Sequence, residues 1–593
     1  MDIAHMNMDG TEIARRDARA GAETVSLAII GSGGAGAMRA GEILLDVAAK
    51  AGFFGLMCRA MGPQIRGGEA AALLRLATAP VSSPDDHFDL LVALDWENFS
   101  RFAAELPLAA GSLVLTDPDE GEVPAAISES GARVAALAMK KLARTVPGGR
   151  VNVIALAAAA TLIGLPVPLV GEVLARQLGR KGDAVLAASA AALALGEEVA
   201  AALPPARRLA PPPAAAGARW VISGNQATGL GALKAGIGFV AAYPITPATE
   251  VLEWMAPALA KTGGLLVQAE DELAAINMVI GASFAGTPSL TATSGPGLAL
   301  MSEALGLAVA SETPLVVVDV MRGGPSTGIP TKSEQSDLDI AVHGLHGDAP
   351  HLVLAPNGIG DCLFTTQWAV ALAERLQTPA IVLSDQALGQ SRAVIAPPPS
   401  PPALPGRLLA TAAEADHYQR YAVTASGISP MAVPGMAGTT YVADGLEHTP
   451  RGIPSAQASD HHTQLAKRAR KLEAFDYGAA WADIEGEDGD EIALLTWGSA
   501  TGPAREAVRR ARREGLMVRL ISLRLLLPAR PAALAAALAG VRRLLVVEQS
   551  HGRQFHKFLR ANYDLPAEVA VLSRPGPLPI RPAEILARLV PWE

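Results

Sequence analysis

Short apolar runs alternate with helix-length segments along most of this chain. Five mostly apolar runs of four to six residues lie in its middle part: Phe239–Ala242, Leu265–Gln268, Ser289–Thr293, Leu315–Val320 and Ala380–Leu383. Such runs are typical of buried parallel strands, and the segments between them are long enough for crossover helices. The pattern therefore predicts an α/β domain with a doubly wound parallel sheet.

The same alternation is found near both ends of the chain. The strands predicted near the start are Val25–Ile30, Leu90–Leu94 and Leu113–Leu115, all parallel. The turn Gly31–Gly36 (GSGGAG) follows the first of them and leads into a helix over Ala37–Ala51, which Gly52 ends. The elements predicted near the end are strand Ile492–Thr496, helix Ala504–Glu514, strand Val518–Ser522, helix Pro531–Ala539 and strand Arg543–Val547. The fold class is therefore α/β with three α/β units.

Two proline-rich stretches set the predicted boundaries between these units. Prolines favour extended, semi-rigid spacers, and both stretches separate segments with clear strand and helix patterns. The connector after the second stretch is polar and irregular, apart from a basic helix over Gln464–Leu472. The predicted parts are an N-terminal tail (1–23), a first α/β domain (24–202), a linker (203–218), a second α/β domain (219–395), a linker with the irregular connector (396–488) and a third α/β domain (489–593).

Composition narrows the class of protein. Half of the 593 residues are hydrophobic, and the net charge of −9 argues against nucleic acid or an anionic membrane as the main partner. Two cysteines, Cys58 and Cys362, exclude a disulfide framework and a four-cysteine iron–sulfur cluster. The N-terminal segment lacks the apolar core of a signal peptide, and Val153–Val170 contains two prolines, so we predict a buried helix there and a cytoplasmic protein.

The GSGGAG turn has the spacing of a dinucleotide-binding loop. Its glycines let backbone N–H groups approach a phosphate at the N-terminus of a helix. NAD also requires an acid after the next strand, and Phe53–Arg59 contains none. A phosphate-bearing ligand such as coenzyme A remains open, with Arg66 as a further basic contact, and so does a tight turn without a ligand.

Three motifs follow the strands of the second domain. Tyr243-Pro-Ile-Thr-Pro247 holds the Thr246 hydroxyl near a strand end, where it can bind a substrate oxygen or cap a helix. Glu270-Asp-Glu272 precedes the apolar segment Leu273–Ile280, which we predict to be a buried helix. Acids favour a first helical turn, but a carboxylate at a buried helix entrance also suits proton transfer. The third motif is the glycine-rich turn Thr293–Gly297.

The segment Arg322–Lys332 (RGGPSTGIPTK) predicts a long mobile loop with two cations after a strand. An arginine there can bind a substrate carboxylate through two hydrogen bonds, although a solvated surface loop fits the same pattern. Since carboxyl ends of parallel strands share one edge of a sheet, this loop and the three motifs are expected to share one crevice. No metal is predicted, because His343, His346 and His351 lack the spacing of a zinc site.

Taken together, these motifs resemble a known family. YPITP, EDELAAI, TATSGPG, MRGGPSTGIPTKSEQSDL and HGDAP occur in order between Tyr243 and Pro350, as in the alpha subunit of 2-oxoacid:ferredoxin oxidoreductases. GSGGAG and IRGG resemble the gamma domain of these enzymes, and LTWGSATGPAREAV with VVEQSHGRQ resembles their transketolase C-terminal-like domain. The resemblance covers nearly the whole chain. It implies a Rossmann-like gamma domain, a thiamine-diphosphate-type pyrimidine-binding domain and a transketolase C-terminal-like domain.

The resemblance also implies an activity. Enzymes of this family oxidatively decarboxylate a 2-oxoacid with thiamine diphosphate, pass electrons through iron–sulfur clusters to ferredoxin, and release an acyl-CoA. The favoured substrate is 2-oxoglutarate, which would give succinyl-CoA and CO2. Pyruvate and branched-chain 2-oxoacids remain alternatives, and so does a scaffold that binds coenzyme A or a nucleotide without chemistry.

Family roles carry over to individual residues. Glu272 falls on the glutamate that bonds the aminopyrimidine ring of the cofactor, and Thr246 and Arg322 fall on residues that hold the substrate carboxylate or ketone. Lys332 is expected to meet the distal carboxylate of 2-oxoglutarate. The predicted site residues are Glu272, Thr246 and Arg322 for catalysis, Tyr243, Thr246, Arg322 and Lys332 for the substrate, Glu272, Ser294 and Gly295 for the cofactor, and Gly31, Gly33, Gly34, Gly36 and Arg66 for coenzyme A.

Two family features are missing from this sequence. Thiamine enzymes bind the diphosphate and its metal through a Gly-Asp-Gly motif, from which Gly347-Asp348-Ala349 departs at its third position. The two cysteines of the chain are also too few to bind an iron–sulfur cluster. The resemblance therefore implies a beta subunit that carries the diphosphate and Mg²⁺ site and a [4Fe–4S] cluster, in an α2β2 assembly that is needed for activity.

Overall fold

The structure is a computed structural model that describes residues 21–62, 68–212, 217–411 and 417–590. Arg66 and most of the predicted N-terminal tail lie outside these ranges. The chain divides into two compact units. The first comprises the described residues up to Ile222 together with Ser391–Pro397, and the second comprises the remainder.

Strands are numbered here in chain order. They are β1 (Thr24–Ser32), β2 (Phe54–Met61), β3 (Glu69–Ala77), β4 (Leu90–Ala93), β5 (Leu113–Thr116), β6 (Arg133–Ala136), β7 (Trp220–Ser223), β8 (Phe239–Ala242), β9 (Leu265–Gln268), β10 (Ser289–Thr293), β11 (Leu315–Met321), β12 (Leu352–Leu354), β13 (Pro379–Asp385), β14 (Arg392–Ile395), β15 (Ala482–Glu485), β16 (Ile492–Trp497), β17 (Val518–Leu523), β18 (Leu525–Leu527), β19 (Arg543–Glu548) and β20 (Glu568–Ser573).

Helices are named by their bounds. In the first unit they are Ala37–Lys50, Ala125–Glu129, Met139–Thr145, Val151–Ile163, Val167–Leu178 and Asp183–Ala200. In the second unit they are Gly224–Lys234, Thr249–Lys261, Glu272–Phe284, Gly295–Ala310, Leu338–His343, Ile359–Leu376, Gln386–Gln390, Ala458–Glu473, Thr501–Arg513, Pro531–Ala537, Gln554–Asn562 and Pro582–Leu589.

The first unit is built on an eight-stranded mixed sheet with the order β6-β5-β4-β1-β3-β2-β14-β7. The predicted strands are present, and β4 and β5 are parallel to β1 as expected. The hairpin of β2 and β3 was missed, and it makes the sheet antiparallel between β1 and β14. A connection of a few residues cannot make the crossover that parallel pairing requires, so β2 and β3 must run in opposite directions.

Apolar helices fill the core of the first unit. The predicted single helix over Val153–Val170 is two helices, Val151–Ile163 and Val167–Leu178, because Gly164 ends the first in a left-handed conformation with φ of 86°. Most of Val151–Ile163 is buried within the protein core. None of the described helices combines the length and the apolar content that a bilayer crossing requires.

The segments beside the predicted boundaries pack against the first unit. Strands β14 and β7, which belong to the predicted second domain, are the last two strands of the first sheet, and β7 forms its edge. The Pro/Ala linker also pairs with this unit, since the Ala22 N–H donates to the Arg208 carbonyl at 2.7 Å and the Ala210 N–H to the Ala22 carbonyl at 2.9 Å.

The second unit contains two sheets. The larger has the order β18-β12-β13-β11-β10-β8-β9, and its strands are parallel except for the edge strand β18. The smaller has the order β15-β17-β16-β19-β20, and only β15 is antiparallel to its neighbour. All strands predicted here are present, and one hydrophobic core reaches both sheets.

The predicted irregular connector is well packed. Between β14 and the helix Ala458–Glu473 it forms no regular helix or strand among its described residues, yet Arg420, Tyr421 and Met431 are buried. The basic helix is longer than predicted, and its Lys467 and Lys471 are buried as well. The connector therefore adds to the core of the second unit.

Candidate active site

The predicted motifs meet at one edge of the larger sheet. Strands β9, β8, β10 and β11 are consecutive and parallel, so the residues that follow them share the carboxyl edge. Thr246 follows β8 and Arg322 follows β11. The Arg322 Nη1 donates to the Thr246 backbone carbonyl at 2.5 Å. The structure therefore brings together the two residues predicted to hold the substrate.

Thr246 does not cap a helix. The following helix begins at Thr249 with Ala248 as its N-cap, so the capping alternative is wrong. Thr246 is half-buried, and its hydroxyl makes no hydrogen bond within the described part of the chain. Tyr243 stands at the end of β8 with 41% of its surface exposed. A threonine hydroxyl and a tyrosine ring at this edge are thus available to a ligand.

Asp271 is the residue that caps the neighbouring helix. Its Oδ1 accepts a hydrogen bond from the Ala274 N–H at 2.7 Å, which satisfies one of the free donors of the first turn. Glu272, the first helical residue, is therefore not needed for capping. Only 7% of its surface is exposed, and its carboxylate makes no hydrogen bond to a described residue. A carboxylate with little exposure and no partner within the described part of the chain is available to a ligand.

Gly297 provides the space in which Glu272 lies. A Cβ atom at this position would come within 2.0 Å of Thr293 Oγ1 and 2.9 Å of Glu272 Oε1. Any larger residue would therefore displace the carboxylate. Ser294, the N-cap of the same helix, has a buried Oγ without a hydrogen-bond partner in the described part of the chain. Gly295 lies beside Asp337, whose Oδ1 would be 2.6 Å from an added Cβ.

The helix Glu272–Phe284 is only partly buried, which corrects the prediction for Leu273–Ile280. Leu273 is 49% exposed and Met278 is 42% exposed, while Ala275, Ile276 and Val279 face the core. Leu300 on the neighbouring helix is 50% exposed. An apolar sequence shows that a helix avoids water, but it does not show whether the chain itself covers every face.

The loop after β11 closes on itself through backbone hydrogen bonds. The Gly323 N–H donates to the Lys332 carbonyl at 3.1 Å, and the Ile329 N–H to the Gly323 carbonyl at 2.8 Å. Arg322 is buried, which is inconsistent with a solvated surface charge, while Lys332 is half-buried and residues 324–329 are exposed. Further along, Gln335 donates to the Trp497 carbonyl at 2.8 Å and accepts from the Gln549 N–H at 2.7 Å. The smaller sheet thus fixes the base of this loop.

Two acids beside Arg322 were missed from the sequence. Asp319 lies within β11 and is fully buried, and Asp337 precedes the next helix. Burial lowers the pKa of Arg322, and the charges of Asp337 and Asp319 oppose this change. The signal that could have revealed Asp319 is a single acid inside the otherwise apolar strand LVVVDVM.

The glycine loop of the first unit faces a cavity of about 580 Å³ whose lining includes Asp95, Glu97 and Glu120. Two of the donors of the loop already have partners. The Ser32 N–H donates to Asp95 Oδ2 at 2.8 Å and the Gly33 N–H to the Gly68 carbonyl at 2.6 Å. The contacts predicted between Gly31, Gly33, Gly34, Gly36 and coenzyme A remain predictions, and Arg66 lies outside the described residues.

Among the described residues, no three His, Cys, Asp or Glu side chains form a group that could hold a metal ion. His351 is buried, and its ring nitrogens lie 2.8 and 2.7 Å from the carbonyl oxygens of Ala349 and Ala341. Its nitrogens are therefore engaged by the backbone.

Family models match three segments of the chain. The model for pyruvate ferredoxin/flavodoxin oxidoreductase matches residues 26–199. The model for the thiamine diphosphate-binding part of pyruvate flavodoxin/ferredoxin oxidoreductase matches residues 230–468. The model for the transketolase C-terminal domain matches residues 481–563. These matches confirm the predicted architecture of three α/β units.

Individual relatives agree with the models. The chain is 37% identical over 385 residues to the 2-oxoglutarate synthase subunit KorA of Methanothermobacter marburgensis, covering 63% of this chain and 98% of the relative. It is 32% identical over 480 residues to the 2-oxoacid:ferredoxin oxidoreductase 2 subunit alpha of Aeropyrum pernix, covering 76% and 74%.

A solved structure is similar over nearly the whole chain. It is the 2-oxoglutarate:ferredoxin oxidoreductase from Magnetococcus marinus with 2-oxoglutarate, coenzyme A and succinyl-CoA bound. The TM-score is 0.90 at 37% identity, with 96% of this chain and 99% of that chain covered. The chain therefore belongs to the 2-oxoacid:ferredoxin oxidoreductase family, as an alpha subunit that carries the gamma domain at its N-terminal side.

Proposed function

We propose that this chain is the catalytic subunit of an enzyme that oxidatively decarboxylates 2-oxoglutarate to succinyl-CoA and CO2. The observation that carries the proposal is the site at the carboxyl edge of the larger sheet. There, Glu272 follows β9, and Thr246 and Arg322, which are in contact, follow β8 and β11 of the same parallel sheet. The bound ligands and names of the relatives support 2-oxoglutarate as the substrate and coenzyme A as the acyl acceptor.

The residues present fit thiamine diphosphate. Glu272 is buried and has no partner in the described part of the chain, Gly297 leaves room beside it, and the Ser294 hydroxyl is buried and unbonded. Glu272 would bind the aminopyrimidine ring, with Ser294 and Gly295 nearby. When bound, thiamine diphosphate supplies the electron sink that decarboxylation of a 2-oxoacid requires. The chain contributes a carboxylate that can exchange a proton with the ring in a site shielded from water.

Arg322 and Thr246 suit the reacting end of the substrate. A guanidinium binds a carboxylate through charge-assisted hydrogen bonds, and the Thr246 hydroxyl can bond the adjacent ketone oxygen. Tyr243 would cover one side of the substrate site that Thr246 and Arg322 form. Lys332 is assigned to the distal carboxylate of 2-oxoglutarate, which pyruvate lacks. Pyruvate and the branched-chain 2-oxoacids remain the alternatives within this reaction class, and they lack the second carboxylate that Lys332 would bind.

We place the remaining cofactors on a second subunit, in an α2β2 assembly. The chain lacks a Gly-Asp-Gly motif, so a beta subunit would bind the diphosphate and Mg²⁺ and carry the [4Fe–4S] cluster that passes electrons to ferredoxin. The exposed apolar side chains Leu273, Met278 and Leu300 beside Glu272 support a partner there. The cytoplasm remains the predicted compartment, and the glycine loop remains the candidate contact for coenzyme A.

The test is turnover by the chain purified with its partner subunit. The assay supplies 2-oxoglutarate, pyruvate or a branched-chain 2-oxoacid with coenzyme A and an artificial electron acceptor, and acyl-CoA is measured. We expect 2-oxoglutarate to be the best substrate. Glu272→Gln should lower kcat by at least about 100-fold, because the amide cannot take part in proton transfer.

Glu270→Gln is the matched control, since Glu270 is an exposed acid two residues before Glu272. It should retain wild-type turnover. Near-normal acyl-CoA synthesis by the Glu272→Gln enzyme would exclude the catalytic assignment and favour the alternative of a scaffold that binds coenzyme A without chemistry.

A further inference from the structure

Side chains from two distant segments hold the backbone at Thr246 and Pro247. The Arg322 Nη1 donates to the Thr246 carbonyl at 2.5 Å, and the Asn225 Nδ2 donates to the Pro247 carbonyl at 3.0 Å. Arg322 follows β11, whereas Asn225 lies in the first turn of the helix Gly224–Lys234. Two consecutive carbonyls of the turn after β8 are therefore each bound by a side-chain donor from another element.

Asn225 is not needed to cap its own helix. Ser223 is the N-cap, and it forms a capping box with Gln226 that satisfies the first turn. Only 1% of the surface of Asn225 is exposed, and its Oδ1 has no hydrogen-bond partner in the described part of the chain. Burial of an unbonded amide oxygen costs free energy. An apolar residue would avoid this cost, but it could not hold the Pro247 carbonyl.

The surroundings fix the orientation of the Asn225 amide. A carbonyl oxygen only accepts hydrogen bonds, so the amide atom that faces the Pro247 carbonyl must be the nitrogen. The Oδ1 lies against Gly389, where an added Cβ would come within 2.6 Å of it. The missing side chain at Gly389 therefore leaves the room that the amide occupies.

The two contacts determine where the Thr246 hydroxyl points. Threonine is β-branched, so few side-chain rotamers are open to it and the direction of its hydroxyl follows the backbone. The Thr249 N–H donates to the Ile245 carbonyl at 3.0 Å, which closes the turn around Thr246 and Pro247. The hydroxyl itself makes no hydrogen bond within the described part of the chain. Its position therefore depends on the groups that hold the backbone.

We propose that Asn225 is a positioning residue that, together with Arg322, orients the Thr246 hydroxyl toward the ketone oxygen of the 2-oxoacid. Asn225 is buried, so it acts through the Pro247 carbonyl and not by touching the substrate. This inference rests on the proposed function, since that function assigns Thr246 to the substrate. Arg322 gains a second role, because its Nη1 holds the turn while the guanidinium has further N–H groups for a carboxylate.

The test is a double-mutant cycle between Asn225→Ala and Thr246→Val, in the enzyme assembled with its partner subunit. The quantity measured is kcat/KM for 2-oxoglutarate. We expect Asn225→Ala to lower it by roughly tenfold, because small misplacements near the reacting atoms are costly. The Thr246→Val enzyme has no hydroxyl to orient, so adding Asn225→Ala to it should cause less than about a twofold further loss.

Gly389→Ala reaches the same contact without changing Asn225. Its added Cβ would push against Asn225 Oδ1 and move the amide away from the Pro247 carbonyl. We expect kcat/KM to fall in this variant as well, and the loss should also disappear in the Thr246→Val enzyme. This second variant decides the question if Asn225→Ala does not assemble with the partner subunit.

Asn357→Ala is the matched control, because Asn357 is also a buried asparagine that donates to a backbone carbonyl. Its Nδ2 donates to the Ser522 carbonyl at 3.1 Å, in the smaller sheet. The variant should have a lower melting temperature but a kcat/KM close to that of the wild type. A fall in kcat/KM equal to that of Asn225→Ala would show that any lost buried amide has this effect, and would contradict the positioning role.

The two proposals fail in different ways. A wild-type complex that turns over none of the 2-oxoacids would overturn the proposed function. An active wild type in which the losses from Asn225→Ala and Thr246→Val multiply would overturn only the positioning role, because the two residues would then act independently. The same conclusion follows if Asn225→Ala and Gly389→Ala both keep the wild-type kcat/KM.

Discussion

At the residue scale, the position of the Glu272 side chain depends on the absence of a side chain at Gly297. Gly297 lies in the first turn of the helix after β10, and its missing side chain leaves room for both the Thr293 hydroxyl and the Glu272 carboxyl group. The helix dipole at this N-terminus also favours a negative charge nearby. The position of the proposed catalytic group is therefore determined by a glycine 25 residues further along the chain, as well as by its own helix.

We predict that Gly297→Ala lowers activity while leaving the fold intact. The added Cβ would overlap Thr293 Oγ1 and the Glu272 carboxyl group, so Glu272 must move. In the assembled enzyme we expect kcat to fall by at least about tenfold, since small displacements of a reacting group are costly. The melting temperature and kcat are measured together.

Gly306→Ala is the control in the same helix, because the nearest neighbour of its added Cβ would be His346 Cε1 at an ordinary 3.5 Å. It should retain activity. Equal kcat values for the Gly297→Ala and Gly306→Ala enzymes would contradict the assigned position of Glu272.

At the element scale, a buried ion cluster holds the connector to the α/β core. Glu312, just after the helix Gly295–Ala310, accepts hydrogen bonds from Lys467 Nζ and, at 3.0 Å, from Lys471 Nζ. Arg420 Nη2 donates to the Glu312 carbonyl at 2.8 Å. Burial alone would raise the pKa of Glu312, but the charges of Lys471 and Lys467 hold it well below its usual range. Burial also lowers the pKa of Lys471 to about 8.

We predict that Glu312→Gln destabilises the chain by about 3–5 kcal/mol at pH 7, because it leaves two buried lysines without their counter-ion. Glu312 has a lowered pKa in the folded state, so its contribution is present above its ordinary pKa and is lost as pH falls below it. The difference between wild type and variant should therefore shrink below pH 4. Urea unfolding of the wild type and the variant, at pH 7 and below pH 4, measures this difference in the free energy of unfolding.

Glu491→Gln is the control for this prediction, since the pair of Glu491 with Arg542 is largely exposed. Its free energy of unfolding should stay within about 0.5 kcal/mol of wild type, as exposed ion pairs contribute little. A Glu312→Gln variant that is no less stable than Glu491→Gln would show that the cluster does not hold the connector.

At the scale of the whole molecule, apolar side chains of the second unit remain exposed in the part of the chain that the structure describes. Leu273, Met278 and Leu300 are exposed on the helices beside Glu272. Exposed apolar side chains that cluster next to a site are typical of a subunit interface. The family to which this chain belongs consists of multi-subunit enzymes, so this surface is where the proposed beta subunit would complete the site.

We predict that Leu300→Glu prevents assembly with the partner subunit, because an ionised carboxylate would be buried at an apolar contact. Co-purification of a tagged chain with its untagged partner measures assembly, and the variant should recover at least about tenfold less partner. Met517→Glu is the control, since Met517 is also exposed but lies in the loop before β17. Normal recovery of the partner by Leu300→Glu would exclude this surface as the interface.

The fold and part of the site follow from local patterns. Apolar runs predicted β8, β10 and β11 because their burial in a parallel sheet leaves a continuous signal. A similar run predicted β9, although β9 is a partly exposed edge strand. Thr246, Glu272 and Arg322 could be named because each stands next to such a run, and parallel strands end at one edge. The β2–β3 hairpin was missed because strand direction depends on a short connection whose pairing the apolar pattern does not show.

What the sequence by itself determined is the α/β alternation of most elements, the family, and which polar residues stand at strand ends, since all of these depend on neighbours in the chain. Only the tertiary structure decided that Asp319 is fully buried, that Glu312 meets two lysines more than 150 residues away, and that Leu273 remains exposed. Proximity and burial arise from contacts between distant segments, and local patterns do not specify those contacts.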